Sequence, residues 1–127
     1  MRVATNGLTI GSVAYDANYR LSVNGVIRAN EIKVYVGWAD FVFNKQYKLM
    51  PLTEVETYIN ENHHLPEIPS ATQVLKDGVS LGQMQAKMMQ KIEELTLHLI
   101  EQNKTLIEQN KKIEALQNEL STSKVKK

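Results

Sequence analysis

The 127 residues are 43% hydrophobic, 23% charged and only 6% aromatic, with 15 Lys and Arg against 14 Asp and Glu, three His and no Cys. This is the length of one domain. The balanced charge offers no basic field for nucleic acid, the missing cysteines exclude disulfides, thiolate metal ligation and a Cys nucleophile, and no apolar run approaches the roughly 20 residues that span a bilayer.

The amino terminus alternates polar and apolar residues and has no signal-peptide block, so if the protein leaves the cell its address lies elsewhere. From Thr9 to about Val36 the chain favours Val, Ile, Leu, Tyr and Thr, is punctuated by Gly and lacks a 3.6 period, which predicts a β-rich stem over residues 1–37. Asn6-Gly7 and Asn24-Gly25 both accept positive φ. The second lies between Arg20-Leu21-Ser22-Val23 and Val26-Ile27-Arg28-Ala29 and predicts a tight hairpin. Leu21, Val23, Ile27 and Ala29 then share one parity; Ile32, Val34 and Val36 take the other, which requires a bulge or break near Asn30. Such short strands bury little alone and need partners.

Over residues 38–79 the punctuation changes to helix caps, predicting a compact connector with two short helices. Thr53-Glu54-Val55-Glu56 follows Pro51 and has the S/T-x-x-E capping pattern, with a helix to about Asn60. Ser70-Ala71-Thr72-Gln73 repeats the pattern, and Asp77-Gly78 supplies a left-handed stop. Between them His63-His64-Leu65-Pro66-Glu67-Ile68-Pro69 reads as a stiff connector, because each residue before a proline is pushed toward extended geometry. Trp38, Phe41, Val42, Phe43 and Tyr47 are expected to form a small core with Leu49, Leu52, Val55, Tyr58 and Ile59.

Ser80-Leu81-Gly82-Gln83 opens a third helix, over residues 80–120, that contains no proline and, after Gly82, no glycine. Gln85, Ile92, Leu99, Leu106, Ile113 and Leu120 take heptad position a; Leu81, Met88, Leu95, Gln102, Gln109 and Leu116 take position d. The repeat is even literal, since Ile100-Glu101-Gln102-Asn103-Lys104 returns as Ile107-Glu108-Gln109-Asn110-Lys111. The rod is roughly 55 Å long at about 1.5 Å per residue. Residues 121–127 read as a disordered tail.

An exposed helix with a continuous apolar seam leaves that seam in water unless it associates, so a coiled coil is expected. The alternatives are a helix folded back on its own domain and a membrane-surface helix; the mixed Glu and Lys of the polar face argue against the latter. Mixed Ile and Leu at a leave the oligomer number open. Gln102 and Gln109 form buried polar layers that favour parallel alignment, with a local register placing Asn103 and Asn110 inward as the alternative.

Gly7-Leu8-Thr9-Ile10-Gly11, Tyr19-Arg20-Leu21-Ser22-Val23-Asn24-Gly25, Glu31-Ile32-Lys33-Val34, Trp38-Ala39-Asp40-Phe41-Val42-Phe43, His64-Leu65-Pro66, Ile68-Pro69-Ser70-Ala71 and Lys91-Ile92-Glu93-Glu94-Leu95-Thr96 together resemble a tail-fibre-type carboxy-terminal module widespread in Bacteroidetes. The likeness spans about residues 7 to 100, its most specific parts being the HLPxIPSA and KIEELT segments. That module is in turn similar to the endosialidase-type intramolecular chaperone domains that end trimeric fibres. The resemblance implies a parallel homotrimer that aligns three chains in register, on a virion tail fibre or at the cell surface. Endosialidase-type domains cleave themselves through a serine at the start of the module. The corresponding position here is Ala39, which has no nucleophile.

Chemically suggestive residues have plainer readings. His63 and His64 with Glu61 and Glu67 lack zinc-site spacing, and a packed connector histidine, His64 above all, is the expected role. His98 falls at heptad position g. Glu54, Glu56 and Glu61 read as a solvated or capping face, Ser70 and Ser80 as caps, and Tyr15, Tyr19 and Tyr35 as strand packing. No Ser/His/Asp order or phosphate loop is present.

The expected architecture is α+β: short N-terminal strands forming an intertwined trimeric stem, small helical elements and a long C-terminal parallel coiled coil. Its interface is assigned to Leu81, Met88, Ile92, Leu95, Leu99, Gln102, Leu106, Gln109, Ile113, Leu116 and Leu120. Trp38, Phe41, Phe43, His64, Leu65, Pro66, Ile68, Pro69 and Ser70 form the connector motif. The expected function is non-enzymatic trimerisation, with self as partner and no cofactor, nucleic acid or membrane insertion. The competing readings are a receptor-binding tip that contacts a host-cell surface, and a self-cleaving chaperone.

Overall fold

The computed structural model describes all residues except Thr5, Ser12, Val13 and Lys127, and leaves the side chains of Arg2 and Ala4 undescribed. The fold is α+β and divides into two units, Met1–Lys33 and Val34–Lys127.

The first unit is a sheet of β1 (Arg2–Ala4), β2 (Gly7–Ile10) and β3 (Leu21–Val23) in that order. Strands β1 and β2 are antiparallel, pairing Arg2 with Thr9, Val3 with Leu8 and Ala4 with Gly7. The hairpin therefore links β1 to β2, with Gly7 already paired as the first residue of β2, and none forms at Asn24-Gly25. Strand β3 takes a different partner. Its residues Leu21, Ser22 and Val23 lie parallel to Leu8, Thr9 and Ile10, and the Asn24 N–H continues that ladder by donating to the Ile10 carbonyl at 2.9 Å. Val26–Ala29 are left without a strand partner, and Val26, Ile27 and Ile32 are exposed. The Arg20 guanidinium donates to the Asn6 carbonyl at 2.8 Å, tying β3's leading edge to the hairpin.

The second unit holds a 3-10 helix over Asp40–Phe43 and three α-helices: α1 (Leu52–Asn62), α2 (Ala71–Asp77) and α3 (Leu81–Val125). Helix α1 starts earlier than its capping pattern predicts. The Pro51 carbonyl takes the first helical bonds, from Glu54 and Val55 at 3.0 Å, so Thr53 lies inside the first turn and caps nothing. The helix runs past Asn60 to Asn62 and stops at His63, which adopts φ 60° and donates its N–H to Ile59. In α2 the box forms as expected: Ser70 Oγ accepts from the Gln73 N–H at 3.3 Å and Gln73 Oε1 accepts from the Ser70 N–H at 2.9 Å. Ser80 stands at the N-cap of α3 without a side-chain bond. Helix α3 continues to Val125, so the disordered tail expected from residue 121 is helical up to that point.

The expected aromatic core does not close. Ala39 and Val42 are each 2% exposed, whereas Trp38, Phe41 and Phe43 are 55%, 44% and 57% exposed. A 3-10 helix repeats every three residues, so Ala39 and Val42 share one row and turn it inward, while Phe41 and Phe43 fall on the other two rows. This small apolar row packs against α3. Val34 and Val36 share a parity as expected, but against a helix: a Cβ on Gly82 would lie 2.4 Å from Val36 Cγ1 and 2.7 Å from Val34 Cγ1. Only glycine admits that approach.

Candidate functional site

Helix α3 is 45 residues long, about 67 Å at 1.5 Å per residue. Successive residues rotate by about 100°, so heptad positions a and d share one side and position f faces the other way. The chain packs on the f side. Gly82, Gln90 and Glu93 are buried, and Ala86, Met89, Glu94 and Leu97 are half-buried. The a and d side stays open along its whole length: Leu81, Met88, Ile92, Leu95, Leu99, Leu106, Ile113, Leu116 and Leu120 are between 52% and 63% exposed. Gln102 and Gln109 are exposed on the same seam. The helix does fold back on its own unit over its first third, but with the wrong face to cover the seam. From Glu101 to Lys126 every residue is exposed.

Where α3 meets the connector, a polar clasp forms that sequence reasoning missed. Leu65, Pro66, Glu67 and Ile68 make a turn closed by the Ile68 N–H donating to the Leu65 carbonyl at 3.2 Å. Pro66 is buried and Glu67 adopts φ 65°, the combination of a type II turn, in which the third position favours glycine. Here a glutamate takes that position because α3 holds it. Lys87 Nζ donates to the Glu67 carbonyl at 2.8 Å, and Gln90 Nε2 and Lys91 Nζ each reach the Glu67 carboxylate at 2.7 Å. Lys91 also bridges Glu94 at 2.9 Å, and Glu94 accepts a hydrogen bond from the Tyr47 hydroxyl and a 3.0 Å bond from Gln90.

These contacts set the charge states. Burial alone would raise the Glu94 pKa, but hydrogen bonds from Tyr47, Lys91 and Gln90 outweigh it and hold the carboxyl below its ordinary value. Burial opposes the Lys91 charge, yet its bonds to Glu67 and Glu94 leave the ammonium pKa raised. Tyr47 is raised by burial and by donating to Glu94. The shifts of Glu94, Lys91 and Tyr47 each favour the ordinary neutral-pH state of that group, which suits a fastener.

The other connector residues serve packing. His64 is half-buried, its Nδ1 lies 2.9 Å from the Leu65 carbonyl, and its ring meets Tyr58 edge-on at 5.5 Å. Ile68, Pro69 and Ser70 are half-buried and Leu65 is exposed. His63 is exposed at the end of α1. Among the described residues no three His, Asp or Glu side chains gather as metal ligands, and no helix is long and apolar enough to cross a membrane. Glu93, also missed, is 8% exposed, and its Oε2 has no hydrogen-bond partner among the described residues.

Two grooves flank the seam between α1 and α3. The first, about 170 Å³, is lined by Met50, Leu52, Val55, Leu65, Pro66, Glu67, Lys91, Glu94, Leu95 and His98. The second, about 570 Å³, continues along Pro51, Leu52, Thr53, His98, Glu101, Gln102, Thr105, Leu106 and Gln109. In comparisons with protein-family models, curated proteins and solved structures, none matches this chain.

Proposed function

We propose that the chain is a non-enzymatic trimerisation module with an intramolecular-chaperone role, which aligns three copies in parallel through α3 so that their β-rich segments pair in register. One observation carries the reading: the a and d seam is open over the full helix, even along the first third, where the opposite face is packed. A helix whose last 25 or so residues are all exposed draws its stability from a partner, because isolated helices are marginal in water. A second copy supplies the same seam, and Gln102 and Gln109 then meet their equivalents and select register.

The chaperone role follows from the strands. Val26, Ile27 and Ile32 are apolar, exposed and without a ladder in one chain. Pairing them between chains is slow, because closing a long-range contact costs entropy before any bond is gained. Joining three helices raises the effective concentration of the strands attached to them. The likeness to tail-fibre-type modules supports a setting on a virion fibre or a cell surface. With alanine at position 39, buried beside the 3-10 helix, there is no nucleophile for self-cleavage at that place.

Mass measurement in solution tests the reading. A trimer is expected at micromolar concentration, and a stable monomer overturns it. Leu95→Glu with Leu99→Glu is expected to yield monomer. A β-rich fibre segment fused upstream should refold in good yield with the native helix and aggregate with this double variant; equal recovery would remove the chaperone role.

A further inference from the structure

The literal repeat Ile100-Glu-Gln-Asn-Lys104 and Ile107-Glu-Gln-Asn-Lys111 places two isoleucines at heptad position b, outside the a and d seam, where they are 47% and 48% exposed. A coiled-coil seam alone gives them no burial. Helix α1 has the complementary deficit. It is 11 residues long with no buried side chain, and Leu52 is 43% exposed. An amphipathic helix of that length needs cover on its apolar side.

Resting on the parallel association proposed above, we infer that Ile100 and Ile107 of each copy dock into the grooves between α1 and α3 of the next copy, so that α1 clamps a neighbour's helix. The occupant is a second copy because the grooves run into the seam itself: Leu95 lines the first, Leu106 the second, and Leu52 and His98 border both. These grooves open on the d and g flank of α3. In a parallel coiled coil that flank faces the neighbour's e flank, each g residue meeting the e residue five positions further on. His98 therefore faces Asn103 of the neighbour, and Ile100 and Ile107 stand one turn either side of Asn103 on the same strip.

Heights agree as well. Equivalent residues of parallel helices lie level, so a neighbour's Ile100 sits about 3 Å along the axis from His98 and its Ile107 about 13 Å, within the stretch from Lys91 to Gln109 that the grooves cover. The assembly becomes three inner helices with three short outer ones, each wedged between two neighbours.

The chain has no cysteine, which makes directed cross-linking clean. Leu52→Cys and Ile100→Cys chains, one of them size-tagged, are co-refolded and oxidised, with each variant oxidised alone as control and Leu99→Cys reporting the seam. A mixed disulfide between the two chains, absent from either variant alone, is the expected result. Seam cross-linking without the mixed disulfide overturns the docking and leaves the trimer standing; failure of Leu99→Cys to cross-link, with monomeric mass, overturns the association beneath both. As a second reading, Ile100→Ser with Ile107→Ser should keep the oligomer mass and increase amide exchange in α1 at least tenfold. Unchanged α1 protection overturns the docking.

Discussion

Glu67 holds a backbone conformation that costs a non-glycine residue about 1 kcal/mol, and does so because three side chains of α3 grip it. Glu67→Gly and Glu67→Ala both lose the carboxylate, but only glycine sheds the strain, so the glycine variant should be the more stable of the two by about 1 kcal/mol in denaturant midpoints at matched protein concentration. The clasp also carries a pH signature. Glu94 has a folded pKa below its ordinary 4.5, so its contribution is full above that value and is lost as pH falls through the lower folded one. Lys91 is raised above 10.5, so its contribution is full below that value and is lost as pH rises through the folded one. Glu94→Gln should flatten the acid side of a plot of thermal midpoint against pH; an unaltered acid side would show that the clasp is not what titrates. None of this was legible in the sequence, where Glu67 is one acidic residue between two prolines and its partners lie some twenty residues away.

Among the helices, one sequence pattern had three outcomes. S/T-x-x-E/Q recurs at Thr53, Ser70 and Ser80, yet only Ser70 caps with its side chain. Ser70→Ala should therefore cost about 1 kcal/mol, and Ser80→Ala only a few tenths, in the same denaturant assay. The pattern names residues able to cap, but the first carbonyl to accept a helical bond decides where the helix begins, and at α1 that is Pro51. The strands give a parallel case. Both Asn-Gly pairs are able to turn, yet Gly7 is paired as the first residue of β2 and the segment after Asn24-Gly25 joins no ladder, while β3 lies parallel to β2, a contact that no local pattern encodes. The aromatic run differs for another reason: the period of three in the 3-10 helix turns Val42 inward and leaves Phe41 and Phe43 on the other rows.

For the molecule taken whole, the long helix and its open seam were the most legible features, because a heptad is local in sequence and needs no knowledge of neighbours. What periodicity did not give was the division of labour around the helix, with the f side packed at home over the first third and the a and d side left free throughout. That division predicts the behaviour of a dissociated chain. In the Leu95→Glu, Leu99→Glu variant, amides from Glu101 to Val125 should lose protection from hydrogen exchange, while those from Lys87 to Glu94, tied to Glu67 and Tyr47, keep part of theirs. Uniform loss along α3 would contradict it.

Helix α3 follows all three strands in the chain, and this order sets a clock. At roughly 5–20 residues per second, a ribosome needs about 2–9 s to make its 45 residues after the strands have emerged. Throughout that interval Val26, Ile27 and Ile32 are already outside and the element proposed to bring copies together is not. A sequence that must wait needs edges that do not find partners early, and the short β3, already occupied on one side by β2 of its own chain, leaves a nascent neighbour only a three-residue edge to seize.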